Sequence, residues 1–422
     1  MRIQITMLLC LIGIELLFPS SSKAWGRHDL ITKLALDSPE LAYLKNIQIL
    51  PESIESAAPD LLLKVIPDLE RWAEVFHKKH DRRYAWKAPT LSELMEGGHI
   101  QNPIPSAREQ LLWALEDNIK TPLKLGSETN AADILIRYTE EPDDMLDNNL
   151  DQPPYIGRLR ESMSFFYDRD NPHTHTFRHY YVPRSIMPPR VTPIGIAPYR
   201  AGLYAQLAVG ALSTGHPYWG FRFLAWSLHY IQDLSQPWHT ILLPGLSYLK
   251  FSKADMKREI SALHFLTEAF SDSCLLKLIQ QNPTSITPRS NSFKLADSVG
   301  EKRENNPWFT PKLAEALADH AHSRASNLAD LERSLFRPII EGLGFDLKPE
   351  IPFITLGEVK FQTASLDFNG DGHGATEFLS PLWVPDFSQA QQRDLLRNEV
   401  MEGVNAGVIG SRKLITHLIL EN

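Results

Sequence analysis

Two His/carboxylate pairs at helical spacing are the residues of this chain best suited to chemistry. His229 precedes Asp233 by four positions, and His264 precedes Glu268 by the same interval. Residues four apart on a helix project from one face. Two such helices can therefore direct imidazoles and carboxylates at a metal ion that lies about 2 Å from each ligand atom.

The neighbouring segments add further candidate ligands. Pro237 cannot continue a helix, so we expect the chain to turn there and direct His239 toward the same point. His179 ends a histidine-rich run, and it could reach the same end of a helical bundle. His28 opens the first predicted helix. If a signal peptide is removed just before Trp25, the free amine and carbonyl oxygen of Trp25 could chelate a metal ion together with His28.

The N-terminus has the pattern of a secretory signal. A basic residue, an apolar run and small residues at Ser22 and Ala24 predict a signal peptide over residues 1–24 and cleavage before Trp25. The apolar run is shorter than the ~20 residues that span a bilayer. We therefore expect a secreted or periplasmic protein with no transmembrane segment. Cys274 would be its remaining cysteine, which leaves His, Asp and Glu as metal ligands.

Composition places the chain among ordinary globular proteins. It has 422 residues, of which 43% are hydrophobic and 22% charged, enough to bury one large core or two smaller ones. The net charge of −8 argues against a general binder of nucleic-acid backbones. It leaves open a metal-dependent enzyme acting on phosphate esters, because bound cations reverse the local field.

Apolar residues recur with the period of an amphipathic helix along most of the chain. The segments predicted as helices are 28–44, 105–137, 198–210, 218–234, 255–280, 311–342 and 389–420. Residues 142–195 are rich in Pro, Asp and Asn and are predicted to loop over the surface, whereas 353–356 and 359–362 have an extended pattern. The sequence predicts an all-α, multi-helix bundle with a small irregular or β insertion before the last helix.

Taken together, these residues resemble the zinc-dependent phospholipase C family, whose wider superfamily includes the fungal single-strand-specific nucleases. The segments that carry the resemblance are Trp25 with His28, His179-Tyr180-Tyr181, His229 to Asp233, Gln236-Pro237-Trp238-His239, and His264 to Glu268. The resemblance implies the family's bundle fold in a single domain, residues 25–422. Segments of about 45–135 and 345–390 have no counterpart and are expected to be insertions.

The resemblance implies three zinc ions at one end of the bundle. The implied ligand sets are Trp25, His28 and Asp233 for one ion; His179, His229, Asp233 and an upstream Asp for the second; and His239, His264 and Glu268 for the third. Asp233 would bridge the first two ions. The upstream Asp is best matched by Asp143, with Asp60 and Asp144 as alternatives. That residue is also the catalytic candidate, for orienting or deprotonating the attacking water.

The function implied is that of a secreted zinc-dependent phosphodiesterase. Within that class we expect a phospholipase C that hydrolyses the glycerol–phosphate bond of phospholipids by metal-activated water, in peripheral contact with a membrane. One alternative is a single-strand nuclease or 3′-nucleotidase with the same zinc site, in which Trp238, Tyr180 or Tyr181 could stack on bases. Another is a non-catalytic metal-binding protein that engages a membrane or a partner. Glu268 favours lipid, since the nucleases tend to have Asp there.

A separate motif lies in the region before the last helix. Asp367, Asn369 and Asp371 have the oxygen spacing of a calcium-binding loop, with a Gly at the sharp turn. The bidentate Glu that ends a standard loop is missing, because position 378 is Phe378. The motif predicts either a calcium site or a turn stabilised by its own Asp and Asn side chains.

Overall fold

The computed structural model describes residues 27–79, 127–143, 179–183, 195–241, six residues between 267 and 275, 306–343, 353–356, 359–362 and 390–420. The α-helices within these ranges are α1 His28–Leu36, α2 Ile54–Asp60, α3 Ile66–Lys79, α4 Ala131–Tyr138, α5 Ala197–Ser213, α6 Pro217–Asp233, α7 Phe309–Leu343 and α8 Ala390–Leu420. The described part of the chain is mostly helical, which confirms the all-α class.

Short elements connect the helices. Two 3₁₀ segments, Pro39–Asn46 and Pro237–His239, and a π-helical segment, Leu61–Val65, lie between them. Strands β1 Gln48–Ile49 and β2 Thr129–Asn130 pair antiparallel. Strands β3 Phe353–Leu356 and β4 Val359–Gln362 form a second antiparallel pair, with Leu356 opposite Val359. This pair lies where the extended pattern predicted it.

Helix α6 is the centre of the bundle. It begins at Pro217, whose fixed φ suits the first position of a helix. Every side chain from Tyr218 to Asp233 is buried. A helix that is buried on all sides must be enclosed by other helices, and α4, α5 and α8 pack around it. Its 17 residues extend about 25 Å, so Pro217 and Asp233 lie at opposite ends of the core.

Helix α8 closes the bundle against α1, α6 and α7. At Gly410 of α8, a Cβ would lie 2.7 Å from Cδ1 of Leu317, so the absence of a side chain permits this close approach to α7. Arg412 donates hydrogen bonds to the carbonyl oxygens of Leu34 and Ala35 at the end of α1. The free carbonyl groups at a helix C-terminus favour a cation there. These contacts fix α1 against the bundle.

The first predicted helix, 28–44, is shorter than expected. It ends at Leu36, and the chain continues as the 3₁₀ segment from Pro39. Ser38 has extended backbone with ψ 142°. A residue that precedes proline is pushed out of the helical region, which explains the break.

The prediction of a helix over 105–137 is wrong for residues 127–130, the first part of that range that the structure describes. Residues 127–130 are not helical, and the helix begins only at Ala131. The side chain of Asn130 accepts a hydrogen bond from the backbone N–H of Asp133 and so caps α4. Residues 105–126 lie outside the described ranges. The helices between Ile54 and Lys79 were not predicted.

The helices in the described ranges include none that is both long and apolar enough to cross a bilayer. The predicted signal peptide, 1–24, and the calcium motif at Asp367, Asn369 and Asp371 lie outside these ranges.

Candidate metal centre

The last turn of α6 carries His229 and Asp233 side by side. His229 Nε2 lies 3.3 Å from Asp233 Oδ2, and both side chains are fully buried. The interval of four residues predicted this contact. A carboxylate at the C-terminal end of a helix faces the negative end of the helix dipole, so a nearby cation would stabilise it.

Two further side chains reach this pair from α1 and from the residues that follow α4. His28 Nε2 lies 3.4 Å from Asp233 Oδ1 and 3.8 Å from Asp143 Oδ2. The other carboxylate oxygen of Asp143 lies 3.6 Å from His229 Nε2. The rings of His28 and His229 have their centroids 4.0 Å apart. The upstream carboxylate of this cluster is therefore Asp143.

His179 completes the cluster from a short irregular segment. Its Nδ1 lies 2.7 Å from Asp233 Oδ2 and 3.0 Å from His229 Nε2. The two oxygens of Asp233 thus face different imidazoles, Oδ1 toward His28 and Oδ2 toward His179 and His229.

The segment that carries His179 is buried, although residues 142–195 were predicted to loop over the surface. Tyr181 N donates to His239 O at 3.0 Å, and Ala197 N donates to Tyr180 O at 3.3 Å. Gly195 has a φ of 101°, and a Cβ there would overlap the carbonyl oxygen of Tyr180. Backbone pairing and a glycine contact therefore fix His179 in the core.

Hydrogen bonds set the tautomer of three of the imidazoles. In each case Nδ1 faces an oxygen that can only accept. The pairs are His28 Nδ1 to Gln232 Oε1 at 2.8 Å, His229 Nδ1 to Thr139 O at 2.8 Å, and His239 Nδ1 to His179 O at 2.9 Å. Nδ1 therefore carries a proton, which leaves Nε2 as the ring nitrogen that can bind a metal ion. Metal-binding histidines are typically oriented in this way.

Gln232 has its amide orientation fixed by two further contacts. Its Nε2 donates to Thr32 Oγ1 at 2.8 Å and to Ser411 Oγ at 3.1 Å, which leaves Oε1 for His28. The buried amide thus links α1, α6 and α8 beside the cluster.

The charge state of His239 also suits a metal ligand. Burial, with a smaller contribution from His28 and His229, lowers the pKa of His239 to about 3, although the hydrogen bond to His179 O acts in the opposite direction. The ring is neutral at physiological pH, and a neutral imidazole is the form that binds metals.

The geometry fits a divalent ion. Two ligand atoms that each lie 2.0–2.1 Å from a tetrahedral zinc are about 3.3 Å apart. The described His and Asp atoms form two overlapping groups of metal-binding type, His28 with Asp143 and His229, and His179 with His229 and Asp233. Two carboxylates buried among imidazoles also require a compensating positive charge. The cluster could hold a metal ion.

A buried ion pair supports the residues that precede Asp143. Arg222 of α6 donates to both oxygens of Glu141, at 2.9 Å from Nε and 2.5 Å from Nη2. Trp226 Nε1 donates to the same carboxylate at 2.7 Å. This network was not predicted from the sequence. The available signal was Arg222 itself, a charged residue in the largely apolar first part of α6, which implies a buried partner.

A second set of contacts lies beside His239 and Glu268. Trp238 Nε1 is 3.1 Å from Thr267 Oγ1, so the residues that precede His239 and Glu268 in the chain touch each other. The side chain of Glu268 is itself buried. His264, the other ligand expected in this segment, lies outside the described residues, as do Trp25 and Asp144.

Asp60, the alternative to Asp143, belongs to a different cluster. Its oxygens contact Lys64 Nζ at 2.7 Å and His216 Nε2 at 3.2 Å. His216 directly precedes Pro217, at the end of α6 opposite Asp233. Asp60 is therefore not one of the carboxylates that converge on His229.

The aromatic residues considered for stacking on bases are all buried. Tyr180 stacks on His239 with ring centroids 4.4 Å apart, and Trp238 and Tyr181 are also buried. Little of these three side chains is therefore exposed for stacking on a base.

No family model, curated protein or solved structure matches the chain.

Proposed function

We propose that this chain is a metal-dependent phosphoric diester hydrolase of the phospholipase C type, and that its ions are zinc. The observation that carries the proposal is the convergence of His28, Asp143, His179, His229 and Asp233, from four separate segments, at ligand-to-ligand distances of 2.7–3.8 Å. Imidazole and carboxylate donors without thiolates suit zinc.

Each ligand side chain has a defined role in this proposal. His179 and His229 would hold one ion with Asp233 Oδ2, while His28 would hold another with Asp233 Oδ1. Divalent ions at this place supply Lewis acidity toward a phosphate ester and activate water near neutral pH. Asp143 is the residue proposed to orient that water and accept its proton, because its two oxygens lie beside His28 and His229.

Two features support a lipid substrate over a nucleic acid. The aromatic side chains that could have stacked on bases are buried in contacts of their own. By the resemblance of the sequence to that superfamily, Glu268 also lies at a position where its nucleases tend to have Asp. We propose export through the predicted signal, residues 1–24, followed by action at a lipid surface.

Metal analysis and a paired substrate assay test the proposal. The protein purified from an exporting host is analysed for bound metals and for its N-terminal residue. It is then assayed on phosphatidylcholine vesicles and on single-stranded DNA. We expect several zinc ions per chain and hydrolysis of the lipid. Turnover of DNA alone would indicate a nuclease. Full zinc occupancy without hydrolysis of either substrate would indicate a non-catalytic metal-binding protein, and absence of bound metal would refute the proposal.

A further inference from the structure

Glu332 of α7 is a carboxylic acid in the protein interior, with no exposed surface. Its Oε2 accepts a hydrogen bond from Trp238 Nε1 at 3.1 Å, and its Oε1 is hydrogen-bonded to Thr267 Oγ1. One side chain on a long helix thus holds two segments that are distant from it in the sequence.

Both partners of Glu332 directly precede a candidate metal ligand. Trp238 precedes His239, and Thr267 precedes Glu268. Helix α7 also contacts the first of these segments a second time, through His322 Nδ1 and Thr240 O at 2.7 Å. The backbone that carries His239 is therefore attached to α7 on both sides.

A buried carboxyl group is costly, so its presence calls for an explanation. Burial raises the pKa of Glu332 well above its usual range, although the hydrogen bonds from Thr267 and Trp238 act in the opposite direction. The carboxyl group is hydrogen-bonded to the indole through one oxygen and to the Thr hydroxyl through the other. A glutamine can make the same two hydrogen bonds, whereas a leucine can make neither.

We propose that Glu332 is a positioning residue of the metal centre, which holds the Trp238–His239 and Thr267–Glu268 segments together so that His239 and Glu268 face the same ion. The inference rests on the proposed function, because it assigns these two residues to one metal. Contacts of this kind orient ligands without touching the metal, and their loss typically lowers metal affinity 10- to 100-fold.

The test compares Glu332→Gln and Glu332→Leu in the full-length mature protein. Zinc stoichiometry and affinity are measured by competition with a chromophoric chelator. The indole N–H resonance of Trp238, assigned with Trp238→Phe, is followed by NMR in the metal-free protein. Asp330→Leu is the matched control, since Asp330 is an exposed carboxylate on the same helix.

We expect Glu332→Gln and Asp330→Leu to keep wild-type zinc binding. Glu332→Leu should lower the affinity for one zinc ion about 10- to 100-fold and shift the Trp238 indole resonance. Thr267→Val, which removes one hydrogen bond at nearly constant volume, should cause a smaller loss, and it replaces Glu332→Leu if that variant does not fold.

Two results would overturn the inference alone while the proposed function stands. One is wild-type zinc affinity in Glu332→Leu or, if that variant does not fold, in Thr267→Val. The other is a Glu332→Gln protein as defective as Glu332→Leu, which would mean that the charged carboxylate, and not its hydrogen bonds, is required. A wild-type protein that binds no zinc would overturn the proposed function together with this inference.

Discussion

Arg222 and Glu141 form an ion pair in the protein interior, with Arg222 Nη2 2.5 Å from Glu141 Oε1 and each side chain 1% exposed. Burial by itself would lower the pKa of Arg222, but the charge and hydrogen bonds of Glu141, together with the neighbouring Tyr218 and Tyr138, outweigh this effect and raise it. The guanidinium group is therefore charged. The pair fixes Glu141, and through it the backbone between Thr139, which accepts from His229, and Asp143.

Replacing one member of this pair should destabilise the protein strongly. For Arg222→Met we expect a loss of about 3–5 kcal/mol in the free energy of unfolding, because the Glu141 charge stays buried without its partner. Urea denaturation measures it. Arg222→Met combined with Glu141→Gln should cost less than the sum of the two single changes. As a control, Asp68→Asn breaks the exposed Arg71–Asp68 pair and should cost less than about 1 kcal/mol.

Asp143 and Asp60 should differ sharply as Asn variants. Asp143→Asn removes a charge beside His28 and His229, so we expect metal affinity to fall at least about tenfold and hydrolysis to fall further. Asp60→Asn changes a carboxylate at the opposite end of α6 and should leave both properties intact. Equal effects from the two variants, in metal titrations and substrate assays, would contradict the assignment of Asp143.

Removal of metal should lower thermal stability. A ligand that binds only the folded state, present at 100 times its dissociation constant, adds about 2.7 kcal/mol. The carboxylates of Asp143 and Asp233 also lose their counter-charge when a chelator removes the ion. Calorimetry with and without chelator should show a lower unfolding temperature in the wild type. His229→Ala should show a smaller chelator effect than the wild type, and an undiminished effect there would count against the site.

The His216 cluster should make stability depend on pH near neutrality. Burial lowers the pKa of His216, but the hydrogen bonds and charges of Glu52 and Asp60 outweigh it, so the net pKa is raised above 6.5. A group whose pKa is raised on folding stabilises the protein fully below its unfolded pKa, and this contribution is lost as the pH rises through the folded pKa. The ring nitrogens lie 3.0 and 3.2 Å from the two carboxylates.

The measurement compares urea midpoints of the wild type and His216→Asn across pH 5.5–8.5. The difference between the two proteins should be largest at the acidic end and should shrink as the pH rises. Subtracting the variant removes the titration of the metal-centre histidines. A difference that stays constant over this range would show that His216 keeps its charge state throughout.

Local spacing predicted the parts of the site that lie within one element. The interval of four residues placed His229 beside Asp233. The turn expected at Pro237 is a 3₁₀ segment that follows the end of α6, and the ring centroid of its His239 lies 6.5 Å from that of His179. The end of the first helix before Pro39 could also have been predicted, because proline restricts the backbone of the residue before it. The apolar periodicity over 28–44 instead favoured one continuous helix.

Contacts between segments that are distant in the sequence could not be predicted from residue spacing. Glu141 lies in a polar run that is typical of a surface loop, yet Arg222, 81 positions later, buries it. Glu332 lies on a helix among other charged residues, and its pattern alone does not distinguish a solvent-facing carboxyl from a buried one. Both depend on how helices pack, which residue spacing along one helix does not encode.

The five side chains that converge at the cluster extend along the sequence from His28 at the start of α1 to Asp233 at the end of α6. Bringing them together requires closure of loops more than a hundred residues long, and such long-range contacts form late because of their entropic cost. A partly folded chain would therefore lack the complete ligand set. Metal binding would then be one of the last steps of folding. An exported chain would accordingly bind its ions after translocation rather than before it.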